Sequence, residues 1–470
     1  MLGMSDQKLY RIFIVALVCS LVRHAGAVEN QSQFIQDSAN IDQKLNLEFH
    51  LRGVQYFSES PADSNFQQQA EAEAEFQKQG PLLLKAHGVA GTFSLEKSSY
   101  FAIPELYAGY SLADTKGFVI LGRRVHNFSF VDRNENLGLY NSNFTNDFIN
   151  FRQQGLTGIH VQAQSGLFGI YSGYYPYYFP SQGPQVYEEN GAIRSSNRWA
   201  QRPPSRFKFG NSDREIIYAI RDYEIDEIVR NSGDGVSLFW GNSSERPWVK
   251  VSYARKPVNE IPLTRESYGT TTNFTGQVKL SPVVTYGQVQ SVDINLDANR
   301  FKTTISYLED RVFNQTAATD ETLQFLSPLR IYGAWTSADL SDFFTRKISA
   351  EISYSEVSGG EVKDLLSDGR DSLFTFSSHR VRFKRPFTVA LKSDLFVVSQ
   401  RPVTTQIKWT YDDAVRGTLL SGMASYQTLA KLNLNVGFDV LGVEKNSTQD
   451  NFLQDQQAND RVYGGLEYVF

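Results

Sequence analysis

Apolar and polar positions alternate along most of this chain. In KLNLNVGFDV, Leu432, Leu434, Val436, Phe438 and Val440 alternate with Lys431, Asn433, Asn435, Gly437 and Asp439. The same period of two orders Leu45, Leu47, Phe49 and Leu51, then Ile159, Val161 and Ala163, then Ile348, Ala350, Ile352 and Tyr354. It returns at Val381/Phe383 and at Ile407/Trp409/Tyr411. Strand side chains point alternately to two faces, so each segment has one oily and one polar face. Helical spacing is scarce, and the pattern predicts an all-β, mainly antiparallel protein.

Several segments lie at hairpin distance. QSVDINL and FKTTISY are joined by Asp297-Ala298-Asn299-Arg300, whose Asp and Asn suit a tight turn. Long polar stretches near 59–80, 131–155, 180–214 and 441–460 read as loops, the first with room for a short Gln/Glu/Ala helix. Short turns at one end and long loops at the other suit a transmembrane up-and-down barrel of about 16 to 20 strands. One parity conflict stands: if the last strand runs toward the short turns, VSGGEVKDLLSDGRDS falls at the short-turn end, so one strand there is missed or miscalled.

The front of the chain bears on where the oily faces go. Residues 1–27 read as a secretory signal: Lys8 and Arg11 are basic, Ile12 to Val22 are apolar, and Ala25-Gly26-Ala27 is a small-residue cleavage site. Cys19, the only cysteine, lies inside it behind Val18, a poor context for lipid anchoring. Cleavage leaves residues 28–470 without disulfides or thiol chemistry. No apolar run reaches the roughly 20 residues of a spanning helix. A closed sheet is the other structure that crosses lipid, because it satisfies its own backbone groups. It needs apolar residues only outside, which fits a chain that is 41% hydrophobic with mean hydropathy −0.35. The 33 Phe and 24 Tyr suit the aromatic girdles at the two interfaces. A net charge of −5 is unsuited to nonspecific nucleic-acid binding.

The chain ends in RVYGGLEYVF, with Phe470, Tyr468, Leu466 and Val462 on one face and Gly464 among them. Together with the leader, the missing cysteines and the strand series, this terminus resembles Gram-negative outer-membrane β-barrel proteins of the porin-like size class. The resemblance implies that Phe470, Tyr468, Leu466 and Val462 form the signal read by the barrel-insertion machinery, from which Gly464 departs. It also implies outer-membrane lipid and lipopolysaccharide as surroundings, small solutes as cargo, and a possible homo-oligomer.

Catalytic chemistry is poorly represented. His50, His87, His126, His160 and His379 form no HExxH pair, and nucleophile-elbow and phosphate-loop patterns are absent. Asp364, Asp368 and Asp371 lack the spacing of an EF-hand and read as a solvated acidic loop. No enzyme, cofactor or metal centre is expected. The informative polar stretch carries Arg194, Arg198, Arg202, Arg206 and Lys208 around Trp199. It either folds inward as a basic constriction that favours anions, or stays outside against lipopolysaccharide phosphates or solvent. Inward candidates from the alternation also include Arg52, Arg382 and Lys384, and the inward tally is slightly basic. The resulting expectation is an aqueous pore with weak anion preference. Its rivals are a plugged barrel with an adhesive or structural role and a soluble β-sandwich.

Overall fold

The computed structural model describes residues 43–58, 65–93, 98–112, 117–195, 197–200, 203–209, 212–221, 223–269, 276–313, 315, 321–344, 346–366, 380–399, 401–429, 431–444 and 451–469. The expected leader, Arg202 and Phe470 lie outside these residues.

The alternating segments form strands that pair in sequence order. They are β1 (Gln43–Tyr56), β2 (Phe66–Lys78), β3 (Leu82–Phe93), β4 (Ser98–Leu112), β5 (Gly117–Arg124), β6 (Leu156–Ser165), β7 (Phe168–Tyr177), β8 (Gly233–Trp240) and β9 (Val249–Pro257). The second half comprises β10 (Tyr286–Ala298), β11 (Phe301–Phe313), β12 (Leu329–Asp339), β13 (Ile348–Gly359), β14 (Pro386–Val398), β15 (Arg401–Asp412), β16 (Gly417–Leu429), β17 (Leu432–Val443) and β18 (Arg461–Val469). Each is antiparallel to the next, and β1 pairs with β18 from Glu48↔Val469 to Tyr56↔Arg461. The 18-stranded sheet is therefore closed, which leaves no unpaired edge.

The alternation sorts side chains as expected. Leu45, Leu51, Leu121, Val436 and Val462 point outward and are exposed, whereas Ser252, Ser306, Thr410 and Asp439 point inward and are buried. Every second connection is short, as at Gly166-Leu167 and Asn299-Arg300, and the long connections all leave the opposite end. Asn299 adopts φ 49° in the hairpin joining β10 and β11, a left-handed position that Asn tolerates.

Two expectations are corrected. The 59–80 stretch is not a loop or helix, because Phe66–Lys78 is a barrel strand. Its QAEAEAEF run alternates outward Ala with inward Glu, and the small, weakly β-forming Ala hides the period. The parity conflict is resolved between VSGGEVKDLLSDGRDS and the end of the chain, where five barrel strands, β14 to β18, place Val357 to Leu366 at the long-loop end. The Val381/Phe383 segment is not a strand; it is part of a loop whose two apolar residues enter different clusters. Of the other stretches expected as loops, 131–155 carries most of a short helix, Phe130–Asn134, and two short accessory strands, 180–214 carries short accessory strands besides the start of Ser212–Ile220, and 441–460 contains the end of β17 and a short helix, Phe452–Gln456.

Gly464 has a structural role that the terminal motif alone does not suggest. Register aligns outward Gly53, Gly464, Val436, Ala424, Thr405 and Ser393 in one row across six strands. With Phe66, Ile407 and Val462, this row lines an apolar trough of ≈ 830 Å³ on the outer face.

Candidate functional site: the lumen

The lumen is shaped by the long connection between β5 and β6, which turns inward. Its helix α1 (Phe130–Asn134) brings Phe128, Val131, Leu139 and Tyr140 against Tyr171, Val289, Leu308, Ile331 and Trp335 of the wall. These inward apolar residues break the polar-inside rule of the strands, and they do so where the loop covers them. Burial of apolar surface contributes on the order of 25 cal/mol per Å² to holding it there.

Polar bonds fix the register of this loop. Tyr140 Oη donates to the Ser252 carbonyl at 3.2 Å, Lys250 Nζ donates to the Asn127 carbonyl at 2.7 Å, and Asp293 accepts from Phe130 N–H at 2.9 Å. Trp335 Nε1–H donates to Glu135 at 2.9 Å. Within the loop, the Asp132 carboxylate accepts from the backbone N–H groups of Leu139 and Tyr140 at 2.8 and 3.1 Å. Burial pushes its pKa up to about 6, against the opposing effect of those two bonds.

Further along, Arg382 donates to the carbonyls of Glu135 and Phe148, both at 3.0 Å, and lies 4.3 Å over the Phe151 ring. Burial lowers its pKa to about 10. Asp147 meets Arg461 of β18 at 2.8 Å and Arg52 of β1 at 3.9 Å. Burial opposes the charge on Asp147, but the two guanidinium groups outweigh it and hold the carboxyl below its usual pKa.

Between loop and wall a polar cavity of ≈ 250 Å³ lies on the β1–β4 side. Glu48, His50 and Arg52 of β1, Gln69, Glu71 and Glu73 of β2, and Tyr100 of β4 form the wall; Asp147, Asn150 and Arg152 come from the loop. Arg152 bonds Glu71 and lies 3.3 Å from Glu73, Tyr100 also bonds Glu71, and His87 of β3 meets Glu73 at 2.7 Å. Both signs of charge thus face each other across this cavity.

The sequence-predicted basic residues are only partly brought together. Arg52, stacked 3.9 Å over Tyr463, and Arg382 reach the lumen. Lys384 donates to the Gly359 carbonyl and lies 3.7 Å from Glu361. Arg198 is a buried fastening residue, donating to the carbonyls of Ser58 and Ala458 at 2.8 and 2.9 Å. Trp199 beside it is 2% exposed, packed in a second apolar cluster with Leu419, Leu441 and Phe452. Arg194 is exposed and pairs with Glu189 at 2.9 Å in a small outer hairpin, and Arg206 is exposed on a separate strand. The described members of this stretch do not converge into a basic ring. Sequence reading missed Glu71, Glu73, Asp147 and Arg152; the first two were legible in the Glu/Ala alternation, the last two carry no periodic signal. At the terminus, Val462, Leu466 and Tyr468 face outward as expected.

A closed antiparallel sheet, apolar outside and charged inside, is an integral membrane β-barrel. Compared with protein families and with curated proteins, the sequence matches none. Among solved structures the chain is similar to OccAB4 of Acinetobacter baumannii, with 10% identity and a TM-score of 0.47 over 92% of this chain and 98% of that one. It is also similar to OpdK of Pseudomonas aeruginosa (11%, 0.47, 91% and 98%) and to a BenF-like porin of Pseudomonas fluorescens Pf-5 (9%, 0.47, 91% and 98%). The fold assignment rests on this chain's own strand pairings.

Proposed function

We propose that the protein is a passive pore for small hydrophilic solutes, with weak anion preference. The observation that carries this reading is the polar cavity on the β1–β4 side, lined by charges of both signs between the inward loop and the wall. Size exclusion acts at the inward loop. Inward-facing, exposed Lys44, Lys302, Lys392 and Lys408 line the remaining wall and favour entry of anions. The mixed pairs of the polar cavity keep that preference small. The outward Val462, Leu466 and Tyr468 of β18 serve the insertion machinery, and lipopolysaccharide surrounds the long-loop end.

Planar-bilayer recording tests the reading. A salt gradient should give channels whose reversal potential is displaced toward that of the anion; a clear cation preference refutes the selectivity. The extensive apolar packing of the inward loop favours one rival, a barrel that stays closed and acts at the surface. Folded protein that inserts into bilayers yet never opens channels would establish that rival and remove the transport reading.

A further inference from the structure

Two carboxylates and an imidazole converge at the polar cavity. Glu48 and His50 are alternate inward residues of β1, and Glu73 lies directly across from Glu48 in the β1–β2 register. One ligand-capable atom from each lies within 4.8 Å of the other two. His50 Nε2 is 3.5 Å from Glu48 Oε2, too long for a hydrogen bond, and this buried nitrogen has no hydrogen-bond partner. A buried, orphaned imidazole nitrogen facing two carboxylates is costly unless something joins them.

We propose that Glu48, His50 and Glu73 bind one divalent first-row transition-metal ion, with Zn²⁺ as the type case. Ligand atoms about 2.0–2.2 Å from such an ion lie roughly 3 to 3.5 Å apart, so the observed spacing closes with small side-chain rotations. Mixed imidazole and carboxylate donors suit Zn²⁺ and its neighbours, whereas Mg²⁺ and Ca²⁺ take oxygen ligands. His87, bonded to Glu73 at 2.7 Å, supplies the outer partner that orients a ligating carboxylate. Glu48, Glu71 and Glu73 bring three carboxylates to the cavity, with Arg152 on Glu71 and Glu73 and with Arg52 and Arg461, paired with Asp147, further along the lining. All three ligands are half-buried and border the cavity, so an ion would keep open positions toward lumen water.

Binding is tested without requiring the protein to conduct, so failure here and failure of the pore reading are distinguishable. Purified, metal-free protein is titrated with Co²⁺, followed by its visible absorption, and then with competing Zn²⁺, Mg²⁺ or Ca²⁺. The expected result is one Co²⁺ per chain, displaced by Zn²⁺ and not by equal Mg²⁺ or Ca²⁺. His50→Gln and, separately, Glu73→Gln should abolish saturable binding, while His87→Gln weakens it about 10- to 100-fold. Each variant is first checked for native strand content, and Glu48→Gln replaces any that does not fold. Absence of saturable binding, displacement by Mg²⁺ as readily as by Zn²⁺, or unchanged affinity in folded His50→Gln would overturn the proposal.

Discussion

Replacing Arg382 with Met removes the polar clasp on the inward loop while keeping an unbranched apolar stem. The guanidinium gives two charge-assisted bonds, to the carbonyls of Glu135 and Phe148 at 3.0 Å each, and a stacking contact on Phe151. A hydrogen bond to a charged group contributes about 1.5–3 kcal/mol, and the stacking adds roughly 0.5–1 kcal/mol. Arg382 is half-buried, so lumen water rehydrates part of what is lost. A net weakening of about 3 kcal/mol is the resulting expectation, equivalent to an increase of roughly 100-fold in the population of unseated loop. The seated loop also keeps its apolar packing around Phe128, Val131 and Tyr140, so the barrel itself stays folded. Single-channel recording reads the change directly: Arg382→Met should show frequent excursions to a wider conductance that are rare in the parent. If the folded variant has the same conductance levels and dwell times as the parent, the loop is not held by this clasp and the reasoning fails.

Other consequences follow from the same contacts. Inward Gly437 is closely covered, since an added Cβ would meet the Tyr463 ring at 2.5 Å and the Gly422 carbonyl at 2.6 Å. Gly437→Ala should therefore lower stability by about 1–3 kcal/mol in urea unfolding from lipid vesicles. Gly464→Ala, whose Cβ meets nothing nearer than 3.8 Å, should be neutral or stabilising by up to about 1 kcal/mol; equal losses in both would contradict the assigned faces. Seating of the loop should also depend on pH. The folded pKa of Asp132 is raised to about 6 from 3.8, so the seated loop binds the proton more tightly and stability falls as pH rises through that window, by on the order of 3 kcal/mol. For Asp147 the shift is downward, so its contribution is present above the ordinary carboxylate range and is lost as pH falls through its folded pKa. Wide-conductance excursions should be rarest near the ordinary carboxylate pKa, at about pH 4, and increase on either side; a flat profile from pH 3 to 8 would contradict both assignments.

Most of the wall was legible in the sequence because it obeys one physical rule repeated along the chain. β1, β13, β17 and β18 each carry enough Leu, Ile, Val or aromatic residues for the period of two to stand out. β2 obeys the same rule with Ala as its outward residue, and Ala is too small and too common in helices to advertise a strand. The interior was less legible. Asp147 and Arg152 matter because a loop folds back onto β1, β2 and β18, and no local periodicity encodes that return. Val381 and Phe383 mimic a strand because each enters a different apolar cluster while Arg380 and Arg382 between them bind Asp310 and the inward loop. The Arg-rich stretch around Trp199 announced its charge correctly but not its destination, since Arg198 is consumed by backbone carbonyls near the mouth.

The central claim is that successive residues of one strand face lipid and lumen in turn. Single cysteines placed along β17 test it most directly, in a background with Cys19 replaced. At Asn433 and Asn435 the thiol should react with a charged, water-soluble reagent in reconstituted vesicles. At Leu434 and Val436 it should resist that reagent, and an attached fluorophore should be quenched by brominated acyl chains. Equal aqueous reactivity at all four positions, or quenching at the Asn positions, would contradict the account.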